Sequence, residues 1–104
     1  MLTKAPTKTT LSTLFDSANQ PNSHVTMGII TLAPGQKSPA EGFACHQQDE
    51  FSYIISGAAH TILANGEDIY AKAGTAQLIE KDEGHINYND GTVPAVVVWF
   101  LVDR

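Results

Sequence analysis

The chain has 104 residues, a formal charge of −5 and only six Lys and Arg residues, which are scattered along it. This balance excludes a nucleic-acid-binding surface and a basic membrane anchor, because either needs clustered cationic side chains. No segment reaches transmembrane length and no secretory signal follows Met1, so we expect a cytoplasmic protein. The lone Cys45 cannot form an internal disulfide and is compatible with this reducing compartment. The length predicts a single domain, and small molecules are the expected partners.

Residues 1–23 are predicted to form an N-terminal arm before the folded domain of residues 24–104. The arm is rich in Thr, Ser, Pro and Lys. Its apolar anchors are Leu11, Leu14 and Phe15. Residues 12–18 could form one helical turn, but the threonines before them favour an extended strand that pairs with the domain or with a second subunit.

From Val25 onward, short runs rich in β-branched and aromatic residues alternate with Gly, Asp or Pro punctuation. The predicted strands are residues 25–32, 50–55, 59–63, 68–71, 77–79, 85–88 and 96–102, with residues 37–45 as a loop. No amphipathic helix interrupts them, which indicates an all-β antiparallel sandwich or barrel. The last strand is apolar on both faces, so we expect it to lie centrally.

Three residues of this region are candidate ligands for one metal ion. His46 lies four residues before Glu50, and His85 begins a later predicted strand. Two imidazoles and one carboxylate suit iron, manganese, nickel or zinc, and they can leave coordination positions open. The sequence therefore predicts a site for a divalent transition metal.

The segment around His46 resembles the first motif of the cupin superfamily, G-x5-H-x-H-x3-E-x6-G. It reads here as Ala44-x-His46-x3-Glu50-x6-Gly57. The second histidine, the glutamate and the last glycine of the motif are present. The first histidine is replaced by Ala44, and the opening glycine would be Ser38.

The segment around His85 resembles the second cupin motif, G-x5-P-x-G-x2-H-x3-N. It reads here as Gly74-x5-Glu80-x-Asp82-x2-His85-x3-Asn89. Glu80 and Asp82 replace the proline and the second glycine of the family. Together the two motifs make the resemblance span roughly residues 25–102.

The resemblance implies that residues 24–104 form a small single-domain cupin, a double-stranded β-helix or jelly-roll-like barrel whose mouth holds the metal. It also implies a homodimer that pairs barrels through outer strand faces. The family typically holds its metal with three histidines and a glutamate, so the replacement by Ala44 leaves three ligands. Two alternatives stay open: Cys45 and Phe43 could take the two histidine slots under a longer spacing, or Glu41 could be a fourth ligand.

Side-chain alternation along residues 50–55 predicts the two faces of that strand. Glu50 shares the inner face with Ser52 and Ile54. The residues of the other face are Phe51, Tyr53 and Ile55. This second face is apolar, which favours a subunit contact.

Two classes of function are compatible with these observations. The first is a metal-dependent dioxygenase, lyase or isomerase acting on a small polar metabolite; the second is a metal-free binding or sensor module. The candidate substrate-binding residues are Tyr53, Gln48 and Asn87. His24 and His60 are expected to be structural or surface residues, with His60 on the outer face of its strand.

Overall fold

The structure, a computed structural model, describes residues 1–6 and 10–104. Part of the predicted arm, residues 7–9, lies outside the described residues. The strands are β1 (Leu11–Phe15), β2 (Val25–Leu32), β3 (Lys37–Ser38), β4 (Asp49–Ser56), β5 (Ala58–Leu63), β6 (Asp68–Lys72), β7 (Ala76–Ile79), β8 (His85–Tyr88) and β9 (Ala95–Val102). Over the described ranges, no helix is long and apolar enough to cross a membrane.

The strands form two antiparallel sheets, which confirms the all-β prediction. The first sheet has the order β1-β2-β9-β4-β7, and the second has the order β3-β8-β5-β6. Strand β9 pairs with β2 on one side and β4 on the other, so the fully apolar strand is central as predicted. Strands that are distant in sequence are therefore neighbours in each sheet.

The seven predicted strands agree with the observed ones to within one residue at each end. Within the arm, Leu11–Phe15 form the extended strand β1, which pairs antiparallel with β2, as the sequence favoured over a helical turn. One element differs from the expectations. Lys37 and Ser38, which were expected in a loop, pair with Tyr88 and Asn87 as the short strand β3, because two residues are too few to carry an alternation pattern.

The core lies between the sheets. Its buried members are Ile30, Leu32, Ala59 and Ala95, with Val97 and Trp99 packed against them. On β4, Ile54 is buried whereas Phe51, Tyr53 and Ile55 are exposed, which confirms the predicted faces of that strand.

Left-handed backbone conformations occur where the motifs place glycine. Gly57 has φ of 74° and Gly74 has φ of 91°. Asp82 stands where the second motif has a glycine, and it has φ of 65°. Aspartate tolerates this conformation better than most residues, so the turn before β8 is kept without the glycine.

Candidate metal centre

Three elements bring His46, Glu50 and His85 together inside the barrel. Glu50 is on the inner face of β4, His85 is the first residue of β8, and His46 lies in the connection before β4. Glu50 Oε1 is 3.5 Å from His46 Nε2, and Glu50 Oε2 is 3.8 Å from His85 Nε2. One donor atom from each residue lies within 4.8 Å of the other two.

The orientation of His85 is fixed by the backbone around it. Its N–H donates to Ala44 O at 3.0 Å, and Ala44 N–H donates to His85 O at 2.9 Å. The ring Nδ1 is 3.1 Å from Glu83 O, a contact in which it must donate. In the neutral ring Nε2 then carries the free lone pair and faces Glu50, which is the arrangement that a metal-binding histidine needs.

The geometry and chemistry of the group fit a divalent transition metal. Two donors bound to one ion at about 2.1 Å lie roughly 3.0–3.4 Å apart. The two Glu50 contacts, 3.5 and 3.8 Å, are slightly longer, and the widest separation, 4.8 Å, would have to shorten when an ion binds. The side chains become less buried from His85, 2% exposed, through Glu50, 13%, to His46, 32%. The most exposed ligand therefore stands on the solvent side of the group.

The other candidate ligands are not part of this group. Cys45 is exposed, and so are Phe43 and Glu41. The structure brings His46 beside Glu50, which agrees with the alignment of the first motif that places His46 in the second-histidine position. Ala44 lines the interior next to His85, so the position of the missing histidine does face the site.

Residues 80–83, the turn before β8 that contains three acidic side chains, are held by backbone N–H hydrogen bonds to the segment that carries His46 and Glu50. Asp82 N–H donates to His46 O at 2.7 Å, and Lys81 N–H donates to Asp49 Oδ1 at 3.0 Å. The second bond, with help from Arg104, lowers the pKa of the Asp49 carboxyl below its ordinary value. These contacts hold the approach to His85 against the start of β4.

The group opens onto a cavity of about 290 Å³ between the two sheets. The described residues that line it are Leu11, Ile30, Leu32, Ser38, Pro39, Ala44, His46, Glu50, Ser52, Ile54, Ala59, Thr61, Gln77, His85, Asn87, Val97, Trp99 and Leu101. Neither Lys nor Arg is among them. The three candidate ligands are the only titratable side chains in that described lining.

The strand register arranges this lining in layers. Ser52 is the next residue after Glu50 whose side chain points inward on β4, and it pairs with Gln77 on β7 and Trp99 on β9. On β8, Asn87 is the next inward-pointing residue after His85, and it pairs with Ser38 on β3 and Thr61 on β5. These residues form a neutral, hydrogen-bonding layer below the candidate ligands, which we call the polar belt.

The next layer is apolar. Ile54 pairs with Val97, and Val97 pairs with Ile30. Leu32 and Ala59, both buried, line the same part of the cavity. We call these five residues the apolar floor.

Trp99 carries an unsatisfied polar atom in the polar belt. Its Nε1 is buried and has no hydrogen-bond partner among the described residues. Buried N–H groups are nearly always paired, so this one is an exception; because its accessible surface is close to zero, it is not reached from the cavity. The sequence indicated only that Trp99 lies in an apolar strand; its pairing with Ser52 could not be read from it.

The structure separates the three predicted substrate-binding residues. Asn87 lines the cavity, and its Oδ1 accepts a hydrogen bond from Thr61 Oγ1 at 3.1 Å. Tyr53 is exposed on the outer face of β4, and Gln48 lines a different, polar groove with Lys81 and Arg104. Of the three, only Asn87 is near the candidate metal centre.

The two remaining histidines lie away from the cavity. His24 Nδ1 is 3.1 Å from Asp103 Oδ2 at the surface. His60 is on the outer face of β5, with Nδ1 2.8 Å from Asp68 Oδ1 and Nε2 3.0 Å from Asp90 Oδ2. Both placements agree with the structural or surface roles expected for them.

Comparison with known proteins gives many structural matches. A predicted oxalate decarboxylase from Thermotoga maritima has a TM-score of 0.76 and 20% identity over 90% of this chain and 79% of its own. An RmlC-like cupin family protein with a double-stranded β-helix fold from Methanocaldococcus jannaschii has a TM-score of 0.76 and 16% identity over 93% and 84%. A cupin-superfamily sugar phosphate isomerase from Silicibacter pomeroyi has a TM-score of 0.71 and 23% identity over 90% and 60%.

At these identities the likeness shows the fold alone. No curated protein matches the chain. A family model described as the cupin domain matches residues 28–101, a span that includes all three candidate ligands. The chain is therefore a small member of the cupin superfamily.

Proposed function

We propose that this protein binds a divalent transition metal through His46, Glu50 and His85 and acts on a small molecule held in the barrel cavity. The observation that carries the proposal is the convergence of three donor atoms within 4.8 Å at the polar end of that cavity. Such a set suits iron, manganese, nickel or zinc and leaves positions for a ligand. The cytoplasmic location predicted from the sequence stays a prediction.

A bound ion would supply Lewis-acid polarisation of a carbonyl or carboxylate group. The protein's own residues would orient the small molecule: Asn87 and Gln77 offer amide groups on the cavity wall. This division of roles supports a metal-dependent enzyme.

One observation favours a second candidate, a binding or sensor module without turnover. Apart from the three candidate ligands, no described residue lining the cavity carries a group that titrates and could serve as a general acid or base. The loss of the fourth ligand at Ala44 points the same way. General acid–base catalysis by a lining side chain is therefore less well supported than a reaction promoted by the bound metal ion.

The activities named for the structural neighbours are not carried over. A phosphate or a second carboxylate held inside the cavity would need a cationic partner, and the described lining contains neither Lys nor Arg. The proposal is accordingly limited to metal binding and a small-molecule ligand.

Elemental analysis of protein purified without an affinity tag tests the proposal. After growth with iron, nickel, zinc and manganese supplied, we expect about one ion per chain in the unmodified protein and a near-complete loss in His46→Ala and His85→Ala. His60→Ala is the matched control and should keep its metal. Negligible metal in the unmodified protein would overturn the proposal, whereas metal retained in both ligand variants would overturn the ligand assignment.

We also propose that the protein forms a homodimer through the outer face of the first sheet. The exposed apolar side chains of this face are Phe51, Tyr53, Ile55 and Leu78. They adjoin the outward residues of β9, Val98 and Phe100, with which β4 pairs. Because one apolar face can pair with itself across a two-fold axis, a second copy of the chain is the partner that this surface fits best.

A further inference from the structure

We propose that the ligand of the cavity is a monoanionic chelating acid with an apolar tail, bound with its head at His46, Glu50 and His85 and its tail on the apolar floor. This inference rests on the proposed metal site and names the class of molecule that fits it. It replaces the small polar metabolite expected from the sequence with an amphipathic one.

Charge sets the head group. A divalent ion with the Glu50 carboxylate and two neutral imidazoles leaves a net charge of +1 at the site. One carboxylate of a bidentate acid neutralises it. A second negative charge at the inner end of the cavity would meet buried apolar side chains and no cation among the described walls, and burying an unpaired charge is strongly unfavourable.

The apolar floor sets the tail. Ile54, Val97 and Ile30 face the cavity two inward-facing steps from Glu50, and the buried side chain of Leu32 adds to the same surface. None of these side chains can donate or accept a hydrogen bond. A hydrocarbon tail gains by leaving water for this surface, while a charged or hydroxylated tail would lose its hydration without replacement.

The polar belt sets what lies between head and tail. Gln77 and Ser52 lie opposite each other in this layer, and both line the cavity. Two residues along a strand span about 6.7 Å, so this layer is close to the candidate ligands. An oxygen of the chelating head, or one attached next to it, would accept hydrogen bonds from the Gln77 amide or the Ser52 hydroxyl.

The cavity size limits the ligand. A volume of about 290 Å³ is at the lower end of the range for small-molecule sites, so the ligand must be small. An acid with a short branched or small-ring tail meets this limit.

Calorimetric titration of zinc-loaded protein with three 2-oxo acids tests the inference. Pyruvate has the head alone, 2-oxo-4-methylpentanoate adds an apolar tail, and 2-oxoglutarate adds a tail of similar size that ends in a carboxylate. We expect 2-oxo-4-methylpentanoate to bind at least tenfold more tightly than either of the others. Trp99, the single tryptophan of the chain, should report the same order through its fluorescence.

Two variants of β9 show whether the floor causes the preference. Val97→Thr places a hydroxyl in the cavity with little change of volume, and it should reduce the preference for 2-oxo-4-methylpentanoate over pyruvate at least threefold. Val98→Thr makes the same change on the outer face and should leave the preference as it was.

The outcomes separate the two proposals. Protein that takes up none of zinc, iron, nickel and manganese overturns the proposed metal site, and this inference with it. Protein that holds one of these ions but in that form binds pyruvate or 2-oxoglutarate as tightly as 2-oxo-4-methylpentanoate, or binds none of the three, overturns this inference alone.

Discussion

The indole of Trp99 lies over the α carbon of Gly28, its partner across strands β9 and β2. A Cβ at residue 28 would overlap Cζ2 and Cε2 of the ring, and it would also crowd Ser12 O on β1. The indole of Trp99 therefore occupies the space that a side chain at residue 28 would fill, and in this position Trp99 lines the cavity. Strands β1, β2 and β9 are coupled through this one position.

Replacing Gly28 with Ala should push Trp99 out of its present position. We expect the free energy of unfolding to fall by about 1–3 kcal/mol, as for other overpacked sites, and the tryptophan emission of the folded protein to shift. Denaturant unfolding followed by fluorescence measures both. In a Trp99→Leu background the same change should cost less, and equal costs in the two backgrounds would show that the ring is not what Gly28 accommodates.

Asn89 closes the connection between β8 and β9. It is 1% exposed, its Nδ2 donates to Leu32 O and Val93 O at 2.9 and 2.8 Å, and its Oδ1 accepts from Gly91 N–H at 2.9 Å. Asn89→Ala should lower the free energy of unfolding by about 3 kcal/mol, because it leaves buried backbone groups unpaired. The matched control is the exposed turn residue Asn65, whose replacement by Ala should cost about 1 kcal/mol or less; similar losses would contradict the role assigned to Asn89.

Metal binding should stabilise the fold by mass action. At a zinc concentration about 100-fold above Kd, linkage gives roughly 2.7 kcal/mol and a Tm increase of roughly 10 °C for a chain of this length. Thermal unfolding with and without zinc measures the shift. It should vanish in His85→Ala, and a persistent shift there would locate the bound zinc elsewhere.

Restoring a histidine at residue 44 should strengthen metal binding. Ala44 lines the cavity beside His85, so an imidazole there would reach the group as a fourth ligand. We expect Ala44→His to lower the Kd for zinc at least tenfold, measured by competition with a chelator. Cys45→His is the control, because residue 45 is exposed; an equal gain in both variants would point to nonspecific binding.

A charge on the outer face of the first sheet should separate the proposed dimer. Phe51→Glu would bury a carboxylate against apolar side chains of the partner, and we expect sedimentation to show monomer at micromolar concentration. Ile69→Glu, on the exposed surface of β6 in the other sheet, should leave the dimer intact. A monomeric unmodified protein would contradict the dimer proposal directly.

The contact of His60 with two carboxylates should make stability depend on pH. The hydrogen bond to Asp68, with a further contribution from Asp90, raises the pKa of His60 above its ordinary value of 6.5. Since the folded pKa is above the unfolded one, the stabilisation is complete below about pH 6.5 and is lost as the pH rises through the folded pKa.

Comparison of the protein with His60→Gln, without metal and at low salt, isolates this contribution. The difference in unfolding free energy between the two should shrink from about pH 6 to about pH 9. The effect should be modest, because both carboxylates are about half exposed. A difference that is constant over this range would show that His60 is not held charged by its partners.

The strands and their faces could be predicted because alternation is a local property. Glu50, Ser52 and Ile54 point inward simply because successive side chains of a strand alternate. The ligand triad followed from motif spacing, since His46 and His85 each stand at a fixed distance from a recognisable strand. The short strand β3 carried too little pattern to be recognised.

The sequence by itself determined the all-β class, the central position of β9 and the identity of the candidate ligands, because each depends on a pattern within one segment. Only the tertiary structure decided that Gln48 lies in a different groove, that Trp99 stands beside Ser52, and that an apolar floor lies below the ligands. These facts depend on the register between strands far apart in the chain. Hydrogen bonding and packing between distant segments set that register, and no single segment encodes it.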